Sequence, residues 1–154
     1  MAKRLSLAVL AAFALAAPAH AQERQWTLDA SEQDAYLVFG VPESDDVGIS
    51  IWCPIESGEV RIYVPEASAE AEADKDVTAI LSTEDTTREF KARSEVNADA
   101  GVTAIEVDLP VDDPILAAML KADRLRVKVG QDEMVFPLFD ADLSGLMELC
   151  RKPQ

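Results

Sequence analysis

Two cysteines are the residues of this chain with the clearest chemistry. Cys53 ends an alternating segment in the first half of the chain, and Cys150 lies close to the C-terminus. In an exported protein two cysteines allow one intramolecular disulfide, and no Cys-x-x-Cys spacing favours a redox-active pair. The bond would close a loop of about 100 residues, for which the loop-entropy estimate gives an upper value of about 4.7 kcal/mol. We therefore predict a structural Cys53–Cys150 disulfide that fastens the last element to the central sheet.

Histidine chemistry is missing from the expected mature protein. The only histidine, His20, falls within an N-terminal export signal, so a Ser-His-Asp triad, a Cys-His pair and a histidine-ligated metal are excluded. Catalysis would depend on carboxylates, lysine, tyrosine or serine. A glycosidase-like carboxylate pair needs a fixed separation across a cleft, and the sequence identifies no cleft. We expect a non-catalytic protein without a cofactor, with a carboxylate-dependent hydrolase as the alternative.

Three acidic clusters are candidates for a cation site: Glu43, Asp45 and Asp46; Asp112 and Asp113; and Asp140 and Asp142. Calcium takes about six to eight oxygen ligands, and none of the clusters has the spacing or the glycine of an EF-hand. Asp113 and Asp140 are more simply explained as helix caps. We therefore predict no metal site.

Trp52, Arg61 and Tyr63 form the best binding candidate. Val47–Cys53 and Val60–Val64 alternate between apolar and polar residues, as the strands of a hairpin do. If the apolar residues share a face, Ile51 lies near Ile62, and Trp52, Arg61 and Tyr63 share the opposite face. Aromatic rings beside a guanidinium can stack on sugars, peptides or a partner's side chains. The simpler alternative is that another element, or the segment around Trp26, covers them.

The N-terminus has the pattern of an export signal. Lys3 and Arg4 precede an apolar run, and Ala19-His20-Ala21 supplies small residues for cleavage. The run is shorter than the ~20 residues that a membrane-spanning helix needs. We predict a signal peptide over residues 1–21 and a single domain over residues 22–154, located in the bacterial periplasm or secreted. No later stretch is expected to span a membrane.

The mature chain is strongly acidic. Once Lys3 and Arg4 are removed, 12 basic residues stand against 29 acidic ones, which gives a net charge of −17. This charge repels nucleic acid and anionic membranes; nucleic-acid binding is therefore excluded, and a protein with a basic surface or an envelope component is the favoured partner. The acidic stretch Glu66–Asp76 is predicted to be a solvated loop or a short exposed helix, with docking to a basic partner as the alternative.

The elements that must hold these residues are mostly strands. Roughly eight or nine short strands with turn signals between them predict an antiparallel β-sandwich. Asp113 and Pro114 open a first short helix. Asp140 is predicted to cap a second, C-terminal helix, in which Leu143, Leu146, Met147 and Cys150 fall on one stripe. A strand around Trp26 is placed at a sheet edge, and Pro65 is expected to end the strand that begins at Val60.

This order of elements resembles a family. A tryptophan strand, a cysteine closing an early strand, a short helix, a strand pair and Phe136-Pro-Leu138 before an amphipathic helix are similar to the small periplasmic proteins of the invasion-associated locus B type. The resemblance covers mainly Pro114 to Cys150. It implies a β-sandwich of the proteobacterial cell envelope that serves in surface interaction, and it carries over no catalytic residue.

Together these observations predict an exported, non-catalytic binding or envelope-associated accessory protein. Its ligand is not specified by the sequence. A carboxylate-dependent hydrolase and a structural subunit of an envelope complex are the competing classes. A deep polar pocket with converging acids would favour the hydrolase, whereas an exposed aromatic or apolar patch would favour binding.

Overall fold

A computed structural model describes residues 23–153; the predicted signal peptide, residues 1–21, lies outside the described residues. The strands are β1 (Gln25–Ala30), β2 (Asp34–Gly40), β3 (Val47–Pro54), β4 (Glu59–Ser68), β5 (Asp76–Ser82), β6 (Thr87–Asn97), β7 (Val102–Pro110), β8 (Arg124–Val129) and β9 (Asp132–Pro137). The helices are α1 (Pro114–Met119) and α2 (Leu143–Cys150). In this part of the chain no helix is long and apolar enough to cross a membrane.

All nine strands belong to one antiparallel sheet, in the order β1-β2-β3-β4-β7-β6-β5-β8-β9. The prediction of a mainly antiparallel β protein with two short helices, the second C-terminal, is confirmed. The sheet curls into a half-barrel, so two separate layers are not clearly distinguished. Curling brings β9 towards β1 and β2: Trp26 Nε1 donates to the Pro137 carbonyl at 2.6 Å, and the Phe39 and Phe136 rings meet edge-on.

The inner face of the half-barrel carries the core. Along β3, Ile49, Ile51 and Cys53 are fully buried, as the period of two in a strand requires. Ile51 pairs with Ile62 on β4, which confirms the predicted register. A shift of one residue would turn every one of these side chains to the outer face. The inner face therefore fixes which residues face outward.

Helix α2 lies against β2 and β3 and buries Leu143, Leu146, Met147 and Cys150. The predicted disulfide is confirmed: Cys53 and Cys150 are bonded, with their Cα atoms 5.7 Å apart. The β3–β4 loop also binds the end of α2, since Glu56 N donates to Leu149 O at 2.9 Å and Gly58 N donates to Cys150 O at 2.8 Å. These bonds satisfy carbonyls that have no partner within the helix. The last element is thus fastened covalently and by hydrogen bonds.

The two helix caps have different outcomes. Asp113 caps α1 as predicted, because its side chain accepts from Ile115 N at 2.9 Å. The prediction that Asp140 caps α2 is wrong: Asp142 holds that position and accepts from Gly145 N at 3.0 Å. Ala141 N donates to Leu138 O at 3.0 Å, so residues 138–141 form a turn. This turn keeps Asp140 outside the helix.

Strand β4 continues past Pro65 to Ser68, so the prediction that Pro65 ends it is wrong. The register with β7 shifts between Val64 and Ser68, and a proline is tolerated at such an irregularity because it lacks the N–H. Ala67 and Ser68 are buried, which corrects the prediction that Glu66–Asp76 is wholly a loop or exposed helix. The acidic side chains of this stretch are exposed.

Candidate functional site

Four outward-facing side chains form a row across the middle of the sheet, which we call the outer row. Tyr36 on β2 pairs with Trp52 on β3, Trp52 pairs with Arg61 on β4, and Arg61 pairs with Asp108 on β7. Residues that oppose each other directly on one face of an antiparallel pair lie within contact distance. The backbone register therefore assembles this row from four separate strands.

The side chains of the outer row stack on one another. The rings of Tyr36 and Trp52 lie nearly parallel, with centroids 5.5 Å apart and an interplanar angle of 14°. The Arg61 guanidinium carbon lies 4.6 Å from the centroid of the Trp52 ring, within the range of a cation–π contact. On its other side Arg61 Nε lies 3.1 Å from Asp108 Oδ1. The guanidinium is thus held between an aromatic face and a carboxylate.

The outer row is half-exposed. Tyr36 is 39% exposed, and the Arg61 side chain is 32% exposed. The buried Arg61 Nε has no hydrogen-bond partner among the described residues, although Asp108 is close enough for an ion pair. The distance shows an attraction between charges, and the direction of the N–H is not that of a hydrogen bond. The guanidinium is therefore held by stacking and charge, with hydrogen-bonding capacity unused at this atom.

A second row runs parallel to the first and contains Tyr63. Val38, Ser50, Tyr63 and Glu106 are paired across the same four strands. Burial raises the pKa of the Tyr63 phenol, and Glu95 raises this pKa further by its charge and by accepting a hydrogen bond. Glu106 adds a smaller effect in the same direction. The phenol therefore stays protonated at neutral pH.

Of the three residues predicted to form the site, the structure brings two into contact. Trp52 and Arg61 stack, and Tyr63 lies on the same face in the next row. Trp26 does not cover them, because its ring packs against Phe39 among residues of the inner core. Among the described residues, the part of the alternative that concerns Trp26 is therefore not supported, and the broader alternative that another element covers the three residues stays a prediction.

Sequence reasoning missed Tyr36 and Asp108. Tyr36 alternates with Leu37 and so could have been placed on the outer face. Its pairing partner on β3, however, depends on a register shift between Phe39 and Gly40, which no local sequence pattern predicts. Asp108 reaches the row because β4 pairs with β7, and this pairing joins strands that are far apart in the sequence.

A groove of about 530 Å³ opens beside Tyr63; we call it the Tyr63 groove. Val38, Ser50 and Tyr63 of the second row form its floor. Its sides carry three exposed carboxylates from separate segments, Asp45, Glu66 and Asp99, and no basic side chain of the described residues lines it. The small side chains of Val38 and Ser50 leave this depression next to the larger rings of the outer row.

A neighbouring groove of about 410 Å³ has a different charge balance. Arg61 and Arg93 line it together with several carboxylates. Arg93 forms ion pairs with Glu106 and with Asp108, the latter at 3.3 Å. The basic side chains on this part of the outer face therefore already have acidic partners.

The acidic clusters considered for calcium have other roles or lie apart. Asp46 accepts from Arg24 Nε at 2.9 Å. Asp113 caps α1 and lies 3.2 Å from Arg88, and Asp142 caps α2. Within residues 23–153, no group of three or more histidine, cysteine or acidic side chains is placed to hold a metal ion.

A separate apolar feature lies at the β9–α2 connection. Phe139 is 74% exposed, and it borders a groove of about 380 Å³ that Trp26 and Phe39 also line. Phe139 lies outside the strands and belongs neither to the outer row nor to the second row. It provides a second surface against which the outer row can be tested.

The described residues thus define an antiparallel β protein with a disulfide-linked C-terminal helix and an open aromatic and charged outer face. No family model, no curated protein and no solved structure matches the chain. The function must therefore be inferred from the geometry of this face.

Proposed function

We propose that the chain is an exported, non-catalytic binding protein of the bacterial periplasm, and that the outer row is its contact surface for a partner protein. The observation that carries this proposal is the Tyr36–Trp52–Arg61 stack, which is half-exposed on the outer face. Tryptophan, tyrosine and arginine dominate the binding energy of protein interfaces. A stacked arrangement also holds these side chains in fixed positions before a partner arrives, which lowers the entropy cost of binding.

The architecture supports the same proposal. In the β-sandwich that the sequence predicts, one layer would comprise β1 to β4 and the other the strands that end in β9. Contacts of β4 with β8 and β9 across the core support such a facing arrangement. In that arrangement Tyr36, Trp52 and Arg61 of the outer row lie on the side of the first layer that faces away from the core.

Two competing classes have less support. A carboxylate-dependent hydrolase needs a pair of acids across a cleft, whereas the acids of the Tyr63 groove project from separate segments around an open, largely apolar floor. A structural subunit of an envelope complex could use the same outer row, and it would differ by remaining permanently bound at fixed stoichiometry. The resemblance to periplasmic proteins of the invasion-associated locus B type favours a role in surface interaction.

The proposal can be tested by photo-cross-linking in periplasmic extract. A benzophenone amino acid replaces Glu59, which is exposed two positions before Arg61 on β4 and lies outside the Tyr63 groove, in the wild-type background and in Trp52→Ala and Phe139→Ala. We expect one discrete adduct in the wild type and in Phe139→Ala, reduced at least tenfold in Trp52→Ala, the effect of about 1.4 kcal/mol of lost binding energy. Circular dichroism checks that each variant is folded.

Two outcomes would contradict the proposal. An adduct of unchanged yield in folded Trp52→Ala would show that the outer row does not carry the binding energy. Loss of the adduct in Phe139→Ala alone would move the interface to the β9–α2 connection. An adduct that survives gel filtration at a fixed stoichiometry would instead favour the structural-subunit class.

A further inference from the structure

We infer that the Tyr63 groove receives a lysine or arginine side chain from a basic segment of the partner protein. The inference rests on the proposed function, because the groove adjoins the outer row and would be covered by the same partner. It adds the chemistry of that partner, which the outer row alone does not specify.

The shape of the groove fits a long side chain with an apolar stem. Val38 and the Tyr63 ring contribute apolar surface to the floor, and Val47 and Pro65 contribute it to the walls. Lysine and arginine bury their methylene stems against such surface and keep the charged end near water. A side chain that enters between the walls therefore leaves its charged end among the carboxylates at the rim.

The charge of the groove selects a cation. Asp45, Glu66 and Asp99 form no ion pair with any described residue. In the neighbouring groove, by contrast, two basic side chains offset part of the negative charge, because Arg61 and Arg93 pair with Asp108 and Arg93 also pairs with Glu106. Like charges gathered around a cleft with low-dielectric walls focus a negative potential. The Tyr63 groove, which has no basic side chain in its lining, therefore attracts a positive charge from another molecule more strongly than the neighbouring groove does.

A basic polypeptide fits the groove better than a metal ion does. A hard cation needs several oxygen ligands converging on one point, and no such group is formed among the described residues. The apolar floor cannot replace the water of a hydrated metal ion, but it does match an alkyl stem. The aromatic rings of the neighbouring outer row then provide contacts for the residues that flank the basic side chain.

The test uses fluorescein-labelled hexalysine as the probe for the mature protein, with binding followed by fluorescence anisotropy. The groove variant is Asp45→Asn/Glu66→Gln/Asp99→Asn. Because a protein of this net charge attracts polycations everywhere, the matched control removes the same number of charges elsewhere. The control variant is Glu32→Gln/Glu133→Gln/Glu148→Gln, whose side chains are exposed and lie outside the groove.

We expect the groove variant to bind hexalysine at least tenfold more weakly than the control variant, which should differ from the wild type only slightly. Ser50→Lys, which places a cation on the floor of the groove, should weaken binding to a similar extent. Fully acetylated hexalysine should not bind. Equal weakening in the groove and control variants would overturn the inference, because binding would then follow net charge alone.

Two further comparisons separate this inference from the proposed function. Free 1,5-diaminopentane that binds as tightly as hexalysine would overturn the assignment to a polypeptide, since the groove would then be a small-amine site. If the groove variant keeps the photo-adduct that Trp52→Ala loses, the inference fails and the proposed function stands. If the groove variant loses hexalysine and Trp52→Ala keeps the adduct, the proposed function fails instead.

Discussion

Ile51 and Trp52 are neighbours on β3, yet they belong to two surfaces with different physics. Ile51 is fully buried on the inner face. The two helices bury their apolar side chains in the same core, and the disulfide links α2 to β3. Trp52 faces outward, where it stacks between Tyr36 and Arg61 and remains partly open to water. Because protein interiors are close-packed, removing a buried side-chain group from the inner face lowers the free energy of unfolding. The outer face instead holds aromatic surface that is only partly buried.

This difference indicates which face is available for function. Buried side chains account for most of the stability of a domain, so changes there are constrained by folding. An exposed stack of aromatic rings and a guanidinium adds little to folding, and it resembles the composition of interface centres. Variants that lower the free energy of unfolding without changing partner binding, or the reverse, therefore distinguish the inner face from the outer face.

The largest expected effect concerns the Cys53–Cys150 disulfide, which links α2 to β3. Replacing both cysteines, in Cys53→Ala/Cys150→Ala, should lower the free energy of unfolding by about 2–5 kcal/mol. The two residues are 97 positions apart in the chain, so removing the bond frees a long loop in the unfolded state. Urea unfolding followed by tryptophan fluorescence measures the change. Phe139→Ala serves as a surface control.

A loss below about 1 kcal/mol in the double variant would contradict this prediction. It would show that the hydrogen bonds from Glu56 and Gly58 to the end of α2, with the buried stripe of the helix, hold the element without the covalent bond. The position of α2 against the inner face would then depend on non-covalent contacts alone.

Ile51 and Trp52, which are neighbours on β3, allow the inner and outer faces to be compared directly. Ile51→Ala should cost about 2–5 kcal/mol, because it leaves a cavity in the core. Trp52→Ala should cost only about 1–2 kcal/mol, the combined value of an aromatic pair and a partly exposed cation–π contact. Both are measured by urea unfolding. Equal losses would mean that the outer row is a structural element, and the proposed contact surface would lose its basis.

Local patterns in the sequence predicted the parts of the fold that local forces decide. The register that places Ile51 beside Ile62 follows from alternation and the need to bury one face. The cap at Asp113 follows from its position before Pro114. At α2 two acids were available, and the turn at residues 138–141 left the cap to Asp142. A choice between two such acids depends on tertiary packing.

Local sequence patterns could not predict which strands far apart in the chain pair with each other. The sheet order places β7 beside β4 and β8 beside β5, and these neighbours depend on which strands close the core together. For this reason the sequence predicted Trp52, Arg61 and Tyr63 on one face but not Asp108, which joins them through β7. The Tyr63 groove depends in addition on two loops, which contribute Asp45 and Asp99 to its lining. The half-barrel likewise follows from the curvature of the whole sheet.

The smallest expected effect concerns Tyr63, whose pKa reports how closed the second row is. The chain has two tyrosines, so Tyr36→Phe leaves Tyr63 as the only phenol and keeps the ring that stacks on Trp52. Tyrosinate absorbance in this variant should rise at a pH above the ordinary value of 10.0, because burial and Glu95 disfavour the ionised form. Glu95→Gln in the same background should lower the pKa.

The sign for stability follows from that shift. Because the pKa of Tyr63 is raised in the folded state, the contribution of the protonated phenol to the free energy of unfolding is complete below about pH 10 and is lost as the pH rises through the folded value. Tyr63→Phe should therefore lose less stability than the wild type over this alkaline interval. A phenol that titrates at or below its ordinary pKa in folded Tyr36→Phe would show that the second row is as open as the outer row. The floor of the Tyr63 groove would then be too accessible to water to favour burial of the alkyl chain of a lysine.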